Sequence, residues 1–368
     1  MVSFPVPVGG IPRPVDFAPS ILFAVLYGLL IPLEAYRLFH RRSRTILFIG
    51  TLLFGVERIA VFSLRAAHAN GERSILSNGL IDYMQVSFAL GSIAIATDLV
   101  NIVRCLLVNP TYGSARFHEC PAAGTKECMM EPPIEGVHED MPTQRFWIRR
   151  FTDFYGLAFL ASNIPGSVAN SHFHRAIHDQ MKADNIYKLR IVSSGVCILL
   201  TIGLLASVAW GRRKLDRVSM RGVRVITTVV VLINVVSIYR LAVMPLRESS
   251  LADPIHTNTS GGKATFYLLH ILPEWLASVI LFSIDVRKTF GTGPFGDLRW
   301  RDETEEEKKK RLRRWGKKAA KKAAKRETLS GDIELIEKPE RRLQCSSEQV
   351  LVEKKEHELL VREIPKSS

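Results

Sequence analysis

The sequence lacks the motifs of several common enzyme and photoreceptor classes. It has no serine, histidine and acid set at a nucleophile elbow, and no glycine-rich loop for phosphate. No lysine falls within 264–285, where an opsin would hold its retinal. These absences argue against a serine hydrolase, a nucleotide-binding enzyme and an opsin, and we predict that the chain is not an enzyme.

Long stretches of the chain also lack charged residues. Seven segments approach or exceed the ~20 apolar residues that a helix needs to cross a bilayer. They are 19–38, 45–64, 80–108, 151–168, 191–210, 225–246 and 264–285. Most show no regular polar face of the kind that a soluble helix carries. The predicted fold class is therefore an all-α integral membrane protein with seven transmembrane helices.

Basic residues alternate in number between the predicted spans. The first loop reads HRRSR, the fifth holds six Lys or Arg within 211–224, and the segment after Asp285 is strongly basic. The N-terminal segment and the second and sixth loops carry few basic residues. The positive-inside rule then predicts the N-terminus outside and the C-terminus in the cytoplasm. We expect a multi-pass protein of the plasma membrane or an endomembrane.

Cysteine and glycosylation signals agree with this orientation. None of the five cysteines falls in a predicted outer loop, so we expect no extracellular disulfide. Asn258-Thr259-Ser260 is the one glycosylation triplet with a permitted middle residue, and it lies in the predicted outer sixth loop. We therefore predict glycosylation of Asn258.

Three regions follow from this map. Residues 1–17 are predicted to be an exposed leader, because they contain neither a basic region nor a cleavage site of the signal-peptide kind. The seven-helix domain covers 18–290, and we expect no separate domain in its long third loop, 109–149. The tail, 291–368, is predicted to be helical over 303–326 and then disordered. That basic helix either lies on anionic lipid of the inner leaflet or is solvated.

Ionisable residues deep in a predicted span are costly, so each is a hypothesis of function. Six such residues are candidates for ligand binding: Glu57, Arg58, Asp98, Arg240, His270 and Glu274. Two arrangements of them are open. They line a polar cavity for a ligand, an ion or a lipid headgroup, or they form interhelical ion pairs that fix the packing, such as Arg58 or Arg240 with Glu274. Four charged residues nearer the span ends are expected to reach the headgroups and are assigned no function: Glu34, Arg104, Asp153 and Asp285.

Two histidine groups have spacings that a metal can use. The first is His172, His174 and His178, and the second is His118 with Cys120 and Cys128. No further ligand set lies clearly on the same side of the predicted membrane. We therefore predict no metal and no cofactor.

Four segments of the chain resemble a known group of proteins: DFAPSILFAVLYGLL, RRSRTILFIGTLLFGVERIAVFSLRA, SIYRLAVMP and FYLLHILPEWLASVILFSIDVRKTFGTGPFGD. They resemble an uncharacterised seven-transmembrane family of basidiomycete fungi. More distantly, Arg240, Glu274 and Asp285 look like the arrangement in the fungal lipid-translocating exporter family. That resemblance implies lipid transport. The acid which the exporters place soon after the arginine is absent here, where residues 241–243 are Leu, Ala and Val.

Taken together, the sequence predicts a receptor-like protein that binds a small amphiphile or lipid in a polar cavity within the membrane. The expected partners are membrane lipids, this ligand and a cytoplasmic signalling protein. We expect no nucleic acid despite the net charge of +14. The alternative is a lipid or drug transporter, although no internal repeat supports it. A membrane hydrolase that uses the first histidine group is the third possibility.

Overall fold

A computed structural model describes residues 2–40, 43–70, 77–125, 128–251 and 256–304, with a few residues between 306 and 316. These residues are mostly helical, which confirms the predicted all-α class. Within them, one short pairing joins Phe4–Pro5 (β1) antiparallel to Arg247–Glu248 (β2). The chain divides into two units, Met1–Asp302 and Glu303–Ser368. Most of the predicted tail helix, the predicted disordered end and Cys345 lie outside the described residues.

Ten α-helices lie within the described residues. They are α1 (Phe17–Phe39), α2 (Ile49–Ala69), α3 (Asn78–Val108), α4 (Pro142–Ala158), α5 (Leu160–Asn170), α6 (Gln180–Lys214), α7 (Met220–Val243), α8 (Ser260–Phe266), α9 (Leu272–Ser283) and α10 (Val286–Phe290). A π-helical turn, Tyr267–Ile271, connects α8 to α9 just before Pro273. Proline has no N–H to donate to the preceding turn, which accounts for the irregular helix there.

Among the residues that the structure describes, five helical stretches are long and apolar enough to cross a membrane. They are Pro14–Phe39, Asn78–Thr111, Gln180–Lys214, Met220–Val243 and Ser260–Ser283. They coincide with predicted spans one, three, five, six and seven, and the chain is therefore a membrane-embedded helical protein. Predicted span two falls on α2, which carries three charged residues. Predicted span four is divided at Phe159 into α4 and α5, each shorter than the ~20 residues of a simple span.

The helices run between two ends of one bundle. We call the leader end the one formed by residues 3–13, 244–251 and 256–263, and the tail end the one formed by 109–125, 128–141 and 285–302. At the leader end, Gln180 at the start of α6 bonds the backbone of Ser3. At the tail end, Arg37 near the end of α1 donates to the carbonyl of Phe282 near the end of α9 (2.9 Å). Successive helices alternate in direction, with α4–α5 and α8–α9 each acting as one stretch.

Charged side chains on these helices point inward, and apolar side chains point outward. On α2, Arg58 and Arg65 are fully buried, whereas the exposed side chains include Ile49, Leu53, Val56 and Leu64. The same holds on α4 and α5, where the exposed side chains include Phe154, Leu157, Leu160, Ile164 and Val168. This is the reverse of a soluble amphipathic helix, and it is the arrangement that hydrocarbon surroundings require.

The leader is buried, so the prediction of an exposed segment over residues 1–17 is wrong for its central part. Phe4 and Val6 have no exposed surface, and Val8 has 2%. The backbone of Val8 exchanges two hydrogen bonds with the side chain of Gln85 on α3 (2.9 and 3.2 Å). The leader fills the space between the helix ends. Its apolar side chains are removed from water there, and buried side chains of the helices supply hydrogen bonds to its backbone.

The tail end is closed by ion pairs between α4 and the segment that follows α10. Asp302 accepts from Arg145 Nη2 (2.5 Å) and from Arg149 Nη1 (2.6 Å), and Asp297 accepts from Arg149 Nε (2.8 Å). Burial raises the pKa of Asp302, but the two guanidiniums lower it further, so that it lies below its ordinary value. The helical unit therefore extends to Asp302, beyond the predicted boundary at residue 290.

Replacing Gly9 with alanine should loosen the leader. Gly9 has a φ of +74°, and an added Cβ would lie 2.7 Å from the ring of Phe266. Strain and collision together should lower the free energy of unfolding by roughly 2–4 kcal/mol. The measurement is the midpoint of thermal unfolding of the purified protein in detergent.

Two further glycines provide matched controls. Gly136 has a φ of +77° with no heavy atom within 4 Å of an added Cβ, so its alanine variant tests strain alone. Gly79 has neither positive φ nor a close neighbour. We expect the loss to be largest for Gly9→Ala, smaller for Gly136→Ala and negligible for Gly79→Ala. Equal losses for the first two would contradict the close packing of the leader.

Candidate functional site: a buried polar layer

A buried ion pair joins α2 to α9 in the interior of the bundle. Arg58 Nη2 lies 2.8 Å from Glu274 Oε2, and neither side chain has any exposed surface. Arg58 Nη1 also donates to the hydroxyl of Ser87 on α3 (2.5 Å). Three helices thus meet at one guanidinium. Of the two arrangements left open by the sequence, this part of the layer adopts the ion pair.

The surroundings of Arg58 explain how a guanidinium is accommodated there. Its central carbon lies 4.3 Å from the ring centre of Phe54 and 5.1 Å from that of Phe88, so both rings add cation–π attraction. On α3, a Cβ at Gly91 would collide with both Phe54 and Arg58. The absence of a side chain at Gly91 therefore makes room for the pair.

Glu57 occupies the edge of the same network. Its side chain is 30% exposed and lies 3.7 Å from Arg58 Nη1. Ser87 donates to Glu57 at 2.8 Å and accepts from Arg58, so this hydroxyl bridges the two charges. Because Glu57 and Arg58 are adjacent on one helix, they point about 100° apart, one toward the edge and one inward.

His270 lies beside the ion pair with unfilled hydrogen-bonding capacity. Its Nε2 is 3.7 Å from Glu274 Oε1, one turn further along the helix. Its ring stacks on Phe266, with 5.5 Å between the ring centres. Within the described residues, Oε1 of Glu274 has no hydrogen-bond partner, and the nitrogens of His270 have none of ordinary geometry, although the backbone of Phe88 lies close to the ring. Buried polar atoms of this kind normally find one, which marks this corner as a place for a further polar group.

Two more arginines are buried without a described carboxylate within 4.0 Å. Arg240 on α7 donates to the carbonyl of Ala89 (2.7 Å). Arg190 on α6 donates to the carbonyl of Val6 (3.0 Å) and to Gln85 (3.1 Å). The two guanidiniums are near enough to repel each other, and Arg240 is also near enough to Glu274 to be attracted by it without forming a contact. The Nε of each arginine has no hydrogen-bond partner within the described residues.

A second group of charges fastens the leader. Asp16 accepts from Arg65 (3.0 Å) and Lys263 (2.8 Å), so one carboxylate faces two cations. Lys263 also donates to the carbonyls of Gly9 and Ile11 (2.8 and 2.6 Å). The leader backbone therefore supplies part of the negative partial charge that these cations need.

The buried layer carries more positive than negative charge. Its basic side chains with at most 2% exposure are Arg58, Arg65, Arg190, Arg240 and Lys263, against the acids Asp16 and Glu274. When the partly exposed Glu57 is counted as a third acid, the layer still has a net excess of two positive charges. The sequence does not mark Asp16, Arg65, Arg190 and Lys263 as deep charged residues, because all four fall just outside the predicted spans.

Asp98 does not belong to this layer. It accepts from the backbone N–H and the hydroxyl of Thr51, both at 2.8 Å, in the first turn of α2. Gly50 faces the same carboxylate, and a Cβ there would lie 3.1 Å from its oxygens. Asp98 thus satisfies a free donor at a helix N-terminus and does not reach Glu274.

The residues nearer the span ends differ among themselves. Arg104 pairs with Asp153, and Asp285 accepts from the backbone N–H of Lys288 at the start of α10. Glu34 is 1% exposed, which corrects the expectation that it reaches the headgroups. Thr45, Phe48 and Phe282 line the space beside its side chain.

The structure gives the histidine and cysteine groups other partners. His174 bonds Asp82 on α3 (2.5 Å). Burial raises the pKa of Cys120 to about 12, and its thiol donates to the side chain of Asn109 (3.3 Å). In the part of the chain that the structure describes, no group of three or more His, Cys, Asp or Glu is placed to hold a metal.

The structure contradicts the predicted glycosylation of Asn258. The residue is 6% exposed, and its amide oxygen accepts from the backbone N–H of Ile11 (3.0 Å). A glycan needs the side-chain nitrogen in solvent, whereas this nitrogen is buried. The triplet lies at the leader end, and the leader covers it.

An apolar groove opens on the outer surface between α4 and α6. Its volume is 640 Å³, and its lining includes Trp147, Phe151, Tyr155 and Trp210. Ser162 on α5 and Ser193 on α6 exchange hydrogen bonds with each other's carbonyls (2.7 and 2.8 Å), which holds those helices together nearer the leader end. The groove lies nearer the tail end, beyond this contact.

No protein-family model, curated protein or solved structure matches the chain. The resemblance to the basidiomycete family and to the lipid-translocating exporters therefore stays a prediction.

Breaking the central ion pair should destabilise the bundle strongly. Glu274→Met removes the buried carboxylate and leaves Arg58 with only the partly exposed Glu57 at 3.7 Å. Loss of a buried ion-pair partner costs about 3–5 kcal/mol. Replacing both partners with methionine should recover most of that loss, because no buried charge then remains unpaired. Asp285→Asn, a more exposed site, should cost less than about 1 kcal/mol.

The measurement is a double-mutant cycle on unfolding in detergent. If the double variant is as unstable as Glu274→Met alone, the pairing of Arg58 with Glu274 is not what fixes these helices.

Proposed function

We propose that this chain is a receptor-like, multi-pass membrane protein that binds a small amphiphile or lipid with an anionic head group. The observation that carries the proposal is the surplus positive charge of the buried polar layer. A guanidinium without a counter-charge is expensive in a low-dielectric interior. An anionic head group would offset that cost at Arg190 and Arg240, where it could accept charge-assisted hydrogen bonds.

The proposal includes seven membrane crossings with the N-terminus outside. Two observations favour α2 and α4–α5 as the additional spans. Both stretches run between the leader end and the tail end, and both expose apolar side chains while burying charged or polar ones. The basic residues at 211–224 and after Asp285 favour the tail end as the cytoplasmic side.

The leader and the proposed ligand compete for the same hydrogen-bond donors, the buried guanidinium groups. Arg190 binds the carbonyl of Val6, and Arg65 binds that of Gly9 (2.5 Å). A carboxylate or phosphate binds a guanidinium more strongly than a neutral carbonyl does. Binding therefore breaks the contact between the leader and Arg190 of α6. Because α6 runs from the leader end to the basic tail end, a shift of this helix would be felt at both ends. This supplies a route to a cytoplasmic partner.

The test compares two lipids with the same acyl chain and different head groups. Lysophosphatidic acid is anionic and lysophosphatidylcholine is zwitterionic, and each is titrated onto the purified protein in zwitterionic nanodiscs. We expect the anionic lipid to bind more tightly. Arg240→Gln should weaken it roughly 10-fold to 100-fold, as expected for the loss of a charged hydrogen bond. Arg240→Lys should weaken it less, because the charge remains.

Asp285→Asn is the control, since it removes a charge outside the layer. Equal affinity for the two lipids, or an unchanged affinity in Arg240→Gln that is verified as folded, would contradict the proposal.

The second candidate function is a lipid or drug transporter. The groove between α4 and α6 favours it, because a lipid tail can enter there sideways from the bilayer. Vesicles that contain the parent chain or Arg240→Gln, at matched levels of folded protein, separate the two candidates. A flux of labelled lysophosphatidic acid that the substitution abolishes means transport, and binding without flux means a receptor.

A further inference from the structure

Glu34 is a buried acid that the binding layer does not use. It lies on α1 toward the tail end, with 1% of its surface exposed. Neither of its carboxyl oxygens has a hydrogen-bond partner within the described residues. Such an acid in a membrane span is rare, because hydrocarbon surroundings offer nothing to replace its water.

The packing around Glu34 leaves room for the carboxyl group. On α2, a Cβ at Gly55 would lie 2.9 Å from Glu34 Oε1 and 3.5 Å from Oε2. The acid therefore lies directly against the backbone of α2. Asp98 of α3 binds Thr51, one turn earlier on the same helix, and brings no positive charge.

The neighbouring cation is engaged elsewhere. Arg37 lies one turn after Glu34 on α1, but it donates to the carbonyls of Phe282 and Ser283 (2.9 and 2.8 Å). Its remaining nitrogen faces Asp285 at 3.9 Å. No basic side chain of the described residues lies within 4.0 Å of Glu34.

A small void adjoins the carboxyl group and reaches toward the tail end. Its volume is 10 Å³, and Glu34, Arg37, Thr45 and Phe282 are among the residues that line it. That is about the space of one water molecule and far too little for an organic ligand.

We propose that Glu34 is a proton-binding site, which holds its proton in the folded protein and exchanges it with water at the tail end through this void. An ionised carboxylate would have no counter-charge there, and the free energy needed to bury the neutral acid is much smaller. The only ligand that fits the site is a proton, with at most one water beside it. This inference does not depend on whether the protein is a receptor or a transporter.

The test is reaction with dicyclohexylcarbodiimide, which dissolves in the bilayer and needs a protonated carboxyl group. The acid adds across one C=N bond: its oxygen bonds the central carbon, and its proton goes to nitrogen. The acyl group then migrates from oxygen to nitrogen and gives a stable N-acylurea, so no further reagent is consumed. Mass spectrometry of the parent chain in zwitterionic vesicles locates the adduct.

We expect the adduct on Glu34 at about pH 7, where exposed carboxyl groups are ionised, and a slower reaction at about pH 9. Glu34→Gln should lose the adduct on α1, and a water-soluble carbodiimide with an added amine should modify the more exposed Asp285 in preference. Detection of the Glu34 peptide without an adduct at about pH 7 would overturn the proposal. A labelling rate that is the same at both pH values would overturn it too, because the proton would then not exchange.

Discussion

Hydrocarbon cannot solvate a charge, and the rest of this structure depends on that constraint. The helices turn their charged side chains inward and their apolar side chains outward. Inside the bundle, each charge needs a partner from another helix. The pairing of Arg58 with Glu274, with Ser87 as the third member, therefore specifies how α2, α3 and α9 meet. A change in their relative positions would leave a buried charge without its partner, which lowers the free energy of unfolding strongly.

The same constraint explains both ends of the bundle. At the leader end, the acids are too few for the buried cations, and backbone carbonyls of the leader take their place at Arg190, Arg65 and Lys263. At the tail end, Asp297 and Asp302 pair with Arg145 and Arg149 of α4, whereas Arg217 binds the backbone carbonyls of Pro110 and Tyr112. The buried cations of the leader end thus depend in part on neutral leader carbonyls that an anion can replace, whereas α4 is held mainly by ion pairs.

The sequence predicted well those features that depend on local hydropathy. Five of the predicted spans coincide with helices that are long and apolar enough to cross a membrane. The sequence also identified Arg58, Arg240, His270 and Glu274, because a charge within an apolar run stands out. It offered Arg58 and Arg240 as alternative partners of Glu274 and could not choose between them, because Arg58 lies more than two hundred residues away from that acid.

The missed residues share one physical reason. A hydropathy window ends where a charge appears, whereas the helices continue past it. Thus α6 begins at Gln180, so Arg190 lies inside a helix, and α2 continues to Ala69, so Arg65 does too. Burial of Glu34 and of the leader arises from segments distant in sequence, and no local pattern reports it. The glycosylation triplet failed in the same way, because the leader covers Asn258.

The most direct test of the central claim asks whether α2 and α5 face lipid. Single cysteines replace Leu53 and Leu160 in a chain without native cysteines, and each carries a fluorophore in reconstituted vesicles. Leu199 on α6 is the lipid-facing reference, and Leu298, which is 75% exposed and lies beyond α10, is the aqueous reference. The account predicts that a lipid-borne quencher acts on positions 53 and 160 as strongly as on 199. Quenching of these two positions by iodide in water, as at 298, would contradict it.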